Sequence, residues 1–224
     1  MKKLLRKIKR CLDKVLGTKS DELYWKSRHF FNKKWAEKYI SEESLNHPHR
    51  KFLIDKISAC VPFENVLEIG CASGPNLYLL AKKFPNIKIY GVDISKKAVM
   101  TGQKWFQKQN IRNISLFSGR AENLSQFSDK AIDIIFTDAV LIYIGPDKIK
   151  KLINEMLRVA KKAIILNEWH SDDFEHFYDD HWVHNYKLLF KKFIPEEKIK
   201  FTKLPENLWG GNWSKFGYII EIII

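Results

Sequence analysis

The sequence has few cysteines, no long apolar run and no internal repeat. Its three cysteines, Cys11, Cys60 and Cys71, are far apart and odd in number, so they form neither a disulfide framework nor a zinc site. Such sparse usage fits a reducing cytoplasm. The apolar stretches are too short for a transmembrane helix, and no apolar signal-peptide core follows the charged N-terminus. We therefore predict a cytoplasmic protein.

Acidic residues are outnumbered, with 39 Lys and Arg against 26 Asp and Glu and a formal net charge of +13. Residues 1–16 hold seven of the basic side chains and one aspartate, so about half of the surplus lies there. The other lysines are scattered as on a solvated surface, and they form no dense basic stripe. We therefore expect no nucleic-acid partner. The 224 residues suffice for one domain with a substantial core and a small N-terminal addition.

The N-terminal segment is predicted to be helical. Residues 2–16 place apolar side chains at i, i+3, i+4 and i+7, with Lys and Arg on the other face, and Gly17 ends the pattern. A basic amphipathic helix of this kind suits an anionic membrane surface, here the inner membrane face. It equally suits docking on its own domain or on a second subunit, and both interpretations stay open. Residues 18–60 are predicted to form a helical cap rich in aromatic side chains.

The segment 61–224 is predicted to be an α/β domain. Apolar β-type runs occur at 65–70, 87–93, 113–118, 132–138 and 163–167. Helix-like stretches lie between them at about 75–84, 95–109, 122–127 and 146–160. This alternation predicts a Rossmann-like parallel sheet covered on both faces. A helix near 174–192 is followed by strands at 197–203 and 215–223 with no helix between them, which predicts an antiparallel C-terminal hairpin.

The stretch "LEIGCASGPN", residues 67–76, follows the first predicted strand. Glycines at such a turn let the backbone approach a ligand closely. Asp93 ends the second strand nineteen residues after Gly74, where a carboxylate can accept from both hydroxyls of a ribose. Ala72 replaces the middle glycine that faces the pyrophosphate in dinucleotide motifs. The pattern thus favours S-adenosylmethionine over NAD.

Three segments together resemble the class I S-adenosylmethionine-dependent methyltransferases. "VLEIGCASGPNLYLLA" is similar to their first motif and "IYGVDIS" to their second, and "AIDIIFTDAVLIYIGPDKIKKLINEMLRVAKKAIIL" is similar to their fourth strand, following helix and fifth strand. The resemblance covers about residues 46–224. The chain looks most like the small methyltransferases found with surface-polysaccharide biosynthesis enzymes. The cofactor implied is S-adenosyl-L-methionine.

The resemblance also implies a set of cofactor-binding residues. Those near the glycine turn would line the methionine part, Asp93 would hold the ribose, and Ile94 would pack on the adenine. The implied set is Glu68, Gly70, Cys71, Ala72, Gly74, Asn76, Asp93, Ile94, Ala121, Glu122 and Asp138. Two alternatives are structural, since Glu68 also suits a helix cap and Asp138 a turn. Arg120 stands where the family often has an acid, so either Glu122 makes the adenine contact or that hydrogen bond is missing.

Methyl transfer to a hydroxyl requires that the acceptor lose a proton. The fifth strand ends in "LNEWHSDD", and His170 is the predicted base because an imidazole titrates near neutrality. Asp138 and Glu168 complete the predicted catalytic set, although His170 also suits a plain surface position. His181 and His184 would share a face of the predicted helix at 174–192. That face suits solvent or substrate better than a metal, and we expect no metal ion.

The sequence gives little indication of which molecule accepts the methyl group. No Asn-Pro-Pro-Tyr type of motif is present, so methylation of a nucleic-acid base is disfavoured and a hydroxyl of a sugar, glycan precursor or other small metabolite is favoured. Trp209 and Trp213 would shape the acceptor pocket, or Trp213 would only pack the hairpin. The alternatives are an RNA or protein methyltransferase and a catalytically silent adenosine-binding partner subunit.

Overall fold

The computed structural model describes residues 34–173 and 176–224. The predicted helix at 2–16 and the first part of the predicted cap lie outside these residues. The described strands are β1 (Asn65–Ile69), β2 (Lys88–Asp93), β3 (Ile114–Ser118), β4 (Ile132–Asp138), β5 (Ala160–Trp169), β6 (His176–Tyr178), β7 (His181–Val183), β8 (Ile199–Lys203) and β9 (Gly217–Ile223). The described helices are α1 (Trp35–Tyr39), α2 (Glu42–Leu45), α3 (Pro48–Ser58), α4 (Pro75–Lys83), α5 (Lys96–Lys108), α6 (Pro146–Val159), α7 (Tyr186–Phe190), α8 (Glu206–Trp209) and α9 (Asn212–Phe216). None of these helices has the length and apolar character needed to cross a membrane.

Seven strands form one sheet in the order β3-β2-β1-β4-β5-β9-β8. The pairs from β3 to β5 are parallel, whereas β9 is antiparallel to both β5 and β8. The strand order reverses between β1 and β4, and open α/β sheets bind ligands at such a switch point. The predicted fold class, a mostly parallel Rossmann-like sheet with an antiparallel C-terminal strand, is confirmed. The predicted C-terminal hairpin is present as β8 and β9, but the two short helices α8 and α9 lie between these strands, where the sequence predicts none.

The sheet is covered on both faces because its central strands are apolar on both. Along β4, Ile134 and Phe136 pack with the helices α3, α4 and α5, while Ile135 packs on the other side with α6 and α7. Successive side chains of a strand point to opposite faces, so one apolar run supplies two cores. Asp138 is the residue of β4 at which this burial pattern ends. The polar groups therefore appear at the carboxyl edge of the sheet.

The predicted helix at 174–192 is wrong. The segment contains the hairpin β6–β7 and then the short helix α7. Its two-residue turn, Asp179 and Asp180, has φ angles of 45° and 64°, as the tight hairpin turns require. The aromatic residues on both sides of this turn favour strands. The predicted helix at 122–127 is also wrong, because the backbone N–H of Leu124 donates to Glu155 and fixes this segment as turns against α6.

Candidate active site

A cavity of about 330 Å³ lies at the carboxyl edge of the sheet. Its lining comes from the ends of five adjacent parallel strands, from β3 to β5, and from α1, α3, α8 and α9. Four interstrand spacings of about 4.8 Å make this edge about 19 Å long. The hydroxyl of Ser73 donates to the carbonyl oxygen of Ala36 at 2.9 Å, so α1 is fixed over the turn that follows β1. Trp35 and Tyr39 of α1 thereby join the cavity wall.

The turn after β1 curls in the left-handed region. Gly70, Ala72 and Gly74 have φ angles of 76°, 49° and 80°. The backbone N–H of Ala72 donates to Oδ2 of Asp93 at 2.8 Å, which joins this turn to the end of β2. Gly74 precedes α4, whose first residue is Pro75, a residue preorganised for that position. The turn thus presents backbone, with little side-chain bulk, to the cavity.

The carboxylate of Asp93 faces the cavity with both oxygens partly engaged. Oδ2 accepts from Ala72, and Oδ1 accepts from the backbone N–H of Ser95 at 2.7 Å. Burial raises the pKa of Asp93 to about 6, against the opposing effect of these two backbone donors. A carboxylate oxygen has more than one lone pair. Each oxygen can therefore take a further donor, such as a hydroxyl of a diol.

Glu68 lies beneath the turn and is buried. Its Oε1 accepts from Nδ2 of Asn76 at 2.7 Å, while Oε2 has no hydrogen-bond partner in the described structure. Burial raises the pKa of Glu68 to about 8, so the group is a neutral acid near pH 7. Glu68 also lines the cavity, where its neutral form can donate from Oε2 and a ligand with a positive charge would favour its ionised form.

Asp138, at the end of β4, is enclosed by four donors. Oδ2 lies 3.2 Å from Nε2 of His49, 3.3 Å from Nη1 of Arg50 and 2.9 Å from Nδ2 of Asn76, and Oδ1 accepts from Asn167 at 2.8 Å. Burial alone would raise the pKa of Asp138, but His49 and then Arg50 hold it well below its usual range. The group is a fixed anion that organises its neighbours. A lowered pKa does not favour a proton acceptor, and the catalytic role of Asp138 stays a prediction.

At the β3 end the cavity is lined by Gly119, Ala121 and Glu122. Arg120 is exposed and does not belong to the lining. Arg120, which stands where similar methyltransferases often have an acid, therefore places no positive charge inside the cavity. Glu122 is the carboxylate that the structure brings to this end.

Six rings form a continuous chain at the β4–β5 end, and we call them the aromatic collar. In order of contact they are His49, Trp209, Trp213, Trp169, His181 and Tyr143, and all of them line the cavity. Neighbouring ring centroids are 3.8, 4.0, 5.8, 5.0 and 5.0 Å apart in that order. The first ring contacts Asp138 and the last lies five residues after it, so both ends of the chain attach near the end of β4.

This geometry can be compared with known proteins. A family model described as a methyltransferase domain matches residues 66–163, from β1 to the start of β5. Residues 66–163, somewhat less than half of the chain, are thus similar to a methyltransferase domain. The predicted resemblance to S-adenosylmethionine-dependent methyltransferases is thus confirmed, and with it S-adenosylmethionine as the cofactor class.

Relatives of this methyltransferase domain have diverse names. Over 113 residues the chain is 25% identical to a tRNA (guanine-N(7)-)-methyltransferase of Oceanobacillus iheyensis, covering 47% of this chain and 51% of that protein. Over 118 residues it is 33% identical to a probable cobalt-precorrin-6B C(15)-methyltransferase of Methanococcus vannielii, covering 53% and 59%. The chain spans about half the length of the curated relatives it matches.

The solved structures share the fold. The magnesium protoporphyrin IX methyltransferase of Synechocystis PCC 6803, solved with bound S-adenosylmethionine, superposes with a TM-score of 0.62 at 16% identity, covering 91% of this chain and 96% of that one. A methyltransferase of Aquifex aeolicus gives a TM-score of 0.61 at 17% identity, covering 86% and 98%. These likenesses show that the fold is shared over most of the chain.

The structure gathers the residues predicted to bind the cofactor. All of them except Gly74 line the cavity of the methyltransferase domain: Glu68, Gly70, Cys71, Ala72, Asn76, Asp93, Ile94, Ala121, Glu122 and Asp138. Gly74 has a conformational role at the start of α4. Their contacts with the cofactor stay a prediction.

His170 is not brought to the cavity, and the prediction of a catalytic base there lacks geometric support. Its ring is buried, stacks on Phe201 with centroids 4.5 Å apart, and has Nδ1 3.1 Å from the carbonyl oxygen of His184. Burial lowers the pKa of His170. His170 directly follows Trp169, the last residue of β5. Neighbouring side chains along a strand point to opposite faces, so His170 points away from the cavity that Trp169 lines.

Glu168 is also absent from the cavity lining. Its carboxylate accepts from the backbone N–H of Val140 at 2.9 Å and of Ile142 at 3.3 Å. Burial raises its pKa to about 7. Glu168 thus fixes the turn after β4, and its catalytic role stays a prediction that this geometry does not favour.

His181 and His184 do not share a helix face. His181 joins the aromatic collar, whereas Nε2 of His184 lies 2.9 Å from the carbonyl oxygen of Ile144 in the protein interior. No group of three or more His, Cys, Asp or Glu side chains is arranged to hold a metal ion within residues 34–173 and 176–224.

Sequence reasoning missed His49, Arg50 and Asn167. The segment "NHPHR" indicated only the start of a helix, which the structure confirms as α3. Nothing in the local pattern indicates that the first turn of this helix contacts Asp138, which lies 88 residues after Arg50 in the sequence. The one available signal is the close spacing of His47, His49 and Arg50 at the start of this helix, which is a group of side chains that can pair with an acid.

Proposed function

We propose that the protein is an S-adenosylmethionine-dependent methyltransferase that methylates a hydroxyl of a small molecule, with a sugar or glycan precursor as the favoured class. The observation that carries this proposal is a single cavity that joins two different ends. One end has the glycine turn and Asp93, and the other has the aromatic collar. One end suits a nucleoside cofactor and the other a ring-bearing acceptor.

The residues at the first end fit S-adenosylmethionine. The carboxylate of Asp93 has capacity for two hydroxyl donors of a ribose, and Glu122 can accept from an adenine amine. The ammonium group of the methionine part would favour the ionised form of Glu68, whose Oε2 could then accept from it. When bound, the cofactor supplies an electrophilic methyl group on a positively charged sulfur. The chain's own residues bind and orient it and exclude water.

The size of the cavity favours a small acceptor. At about 330 Å³ it lies at the lower end of the range of roughly 300–1,000 Å³ typical of small-molecule sites. The cofactor must share this space, so the cavity favours an acceptor that inserts no more than its reacting group. A saccharide ring or a comparable metabolite meets this limit.

A second candidate, methylation of RNA, is favoured by the relatives named as tRNA methyltransferases and by the net charge of +13. A single base of an RNA could enter a ring-sized cavity if it left its stack. This candidate requires phosphate contacts and therefore an affinity that falls steeply with salt.

Residues 2–16 lie outside the described structure, so the peripheral membrane contact stays a proposal. Deleting residues 1–17 should abolish co-sedimentation with vesicles that contain anionic lipid. Equal partitioning of the full chain and the deletion variant would remove this proposal.

Calorimetric titration with S-adenosylmethionine and its demethylated product tests the cofactor, with Asp93→Ala as the variant that should not bind. Transfer of a labelled methyl group to nucleotide sugars, simple glycosides, phenols and unmodified tRNA then tests the acceptor. Product from a glycoside or nucleotide sugar supports the proposal, and product from tRNA alone supports the second candidate. Binding without any transfer would instead point to a silent adenosine-binding subunit, and no binding at all would overturn the proposal.

A further inference from the structure

In the aromatic collar, His181 is hydrogen-bonded to Tyr143. The hydrogen bonds of His181 differ from those of His49, the other histidine of the collar. His181 is the first residue of β7 and follows the Asp179–Asp180 turn. The next residue, Trp182, does not belong to the cavity lining, as the alternation of a strand requires. The side chain of Asn212 donates to Oδ2 of Asp179 at 2.8 Å, which ties the turn to α9 beside Trp213.

The hydrogen bonds of His181 fix its tautomer. Nδ1 lies 2.6 Å from the carbonyl oxygen of Asp179, and because a carbonyl can only accept, Nδ1 carries the hydrogen. In the neutral ring Nε2 is then the basic nitrogen. Nε2 lies 3.3 Å from the hydroxyl oxygen of Tyr143, which can donate to it. The imidazole thus presents an acceptor nitrogen at the cavity, held by a backbone group on its far side.

His49, the other histidine of the collar, has no comparable nitrogen. Its Nε2 faces Asp138 at 3.2 Å, and its Nδ1 lies 2.6 Å from Nδ1 of His47. Both ring nitrogens are therefore engaged within the protein, and the ring is stacked on Trp209. His49 therefore forms part of the cavity wall and pairs with the carboxylate of Asp138.

We infer that His181 is the group that removes the proton from the acceptor hydroxyl, in an acceptor subsite walled by Trp169, Trp209 and Trp213 that takes a hydroxylated ring compound. This inference rests on the proposed function. The ring face of the acceptor packs on the indoles, and its hydroxyl replaces that of Tyr143 at Nε2 or shares it. Both sugars and phenols have this combination of a ring face and a hydroxyl.

The step balances in atoms and charge. The acceptor oxygen forms a bond to the methyl carbon, the bond between that carbon and the cofactor sulfur breaks, and its electron pair returns to sulfur. The hydroxyl proton moves to Nε2 of His181, so the positive charge lost by the sulfur appears on the imidazolium. The carbonyl of Asp179 accepts from Nδ1–H in both states and so stabilises the charged ring.

The test compares His181→Ala and Tyr143→Phe with a control on the same strand, Trp182→Phe. With the best acceptor of the panel, His181→Ala should lower kcat by about 10²–10⁴-fold, the usual contribution of a general base. It should also remove the rise of kcat/KM with pH that an imidazole produces. The dissociation constant of the demethylated cofactor should stay within about threefold, which shows that the variant folds. Tyr143→Phe should retain the pH profile, and Trp182→Phe should match the parent protein.

A second readout needs no turnover. In protein labelled with ¹⁵N histidine, the signals lost in His181→Ala identify the ring, and they should report the tautomer with hydrogen on Nδ1. Adding methyl glucoside or catechol to the complex with the demethylated cofactor should shift those signals, and the probe that shifts them distinguishes sugar from phenol. A hydrogen on Nε2, an unchanged kcat in His181→Ala, or product from tRNA alone would each overturn the inference. Failure of the parent protein to bind either cofactor form would instead overturn the proposed function.

Discussion

The two ends of the cavity are built in different ways. The end at β1, β2 and β3 consists of strand ends and one turn, with Gly70, Ala72 and Asp93 within 24 residues of chain. The end at β4 and β5 consists of six rings from six separate elements, which stretch from His49 to Trp213. The first end is positioned by backbone hydrogen bonds, and the second by ring packing. Under the proposed function the first is the cofactor end and the second the acceptor end. Cofactor binding and acceptor recognition could then vary independently, which agrees with the diverse names of the relatives.

The largest expected effect concerns Glu68 at the cofactor end. Its folded pKa of about 8 lies above the ordinary value of 4.5, so the native state retains a proton that the unfolded chain loses. This contribution to stability is fully present below pH 4.5 and is lost as pH rises through 8. The shift corresponds to about 4–5 kcal/mol.

Glu68→Gln removes that titration while keeping the shape of the neutral acid. Urea unfolding between pH 5 and 8.5 should show the parent protein losing stability relative to the variant by an amount of this order. Other raised groups, such as Asp93 and Glu168, are present in both proteins and cancel in the difference. Parallel curves for the two proteins would contradict the neutral state of Glu68.

The contrast between the two ends also sets what the sequence could predict. Strand positions, the glycine turn and Asp93 follow from local patterns, because each strand places its last residue at a known edge of the sheet. The collar could not be predicted in this way, since it depends on how α3, α8, α9 and a hairpin fold over that edge. His170 shows the limit: the strand end was identified correctly, but the alternation of side chains turns this ring away from the cavity and Trp169 toward it.

Asp138 lies at the boundary between the two ends, and its removal should be nearly as costly. Asp138→Ala leaves the buried Arg50 guanidinium and its neighbour His49 without their anion, which typically costs about 3–5 kcal/mol. The matched control is Asp129→Ala, where a carboxylate that is 76% exposed pairs with Arg158. An exposed pair is worth about 0–1 kcal/mol. Chemical denaturation measures both, and similar losses for the two variants would show that the Asp138 cluster is not a buried network.

A smaller effect separates the acceptor end from the cofactor end. Trp209 is stacked between His49 and Trp213, with centroids 3.8 and 4.0 Å away. Trp209→Ala should raise the KM of the acceptor about 3–10-fold, because an aromatic pair contributes about 0.5–1.5 kcal/mol. The dissociation constant of the demethylated cofactor should change less than twofold. Trp105→Ala is the control, since this indole packs on Tyr78 outside the cavity and should leave both constants unchanged. Equal changes in KM and in cofactor affinity for Trp209→Ala would mean that the two ends do not vary independently.

The smallest effect is expected at Ala72, the residue that replaces the middle glycine of dinucleotide motifs. Its φ of 49° costs an L residue about 1 kcal/mol, which Ala72→Gly would relieve. Its methyl group is buried with Trp35 and Ala98, and losing that contact costs about 0.8 kcal/mol. The two contributions offset each other, so unfolding free energy and cofactor affinity should both stay within about 0.5 kcal/mol of the parent values.

Gly74→Ala, on the same turn, is the contrasting variant. There φ is 80°, and an added methyl carbon would lie 2.6 Å from Cζ of Phe106, so strain and overlap act in the same direction. A loss of about 1–3 kcal/mol is expected from overpacking of this kind. If Ala72→Gly lowered cofactor affinity as much as Gly74→Ala lowers stability, the methyl of Ala72 would itself be part of the binding surface. The cofactor end would then depend on side-chain packing as the acceptor end does.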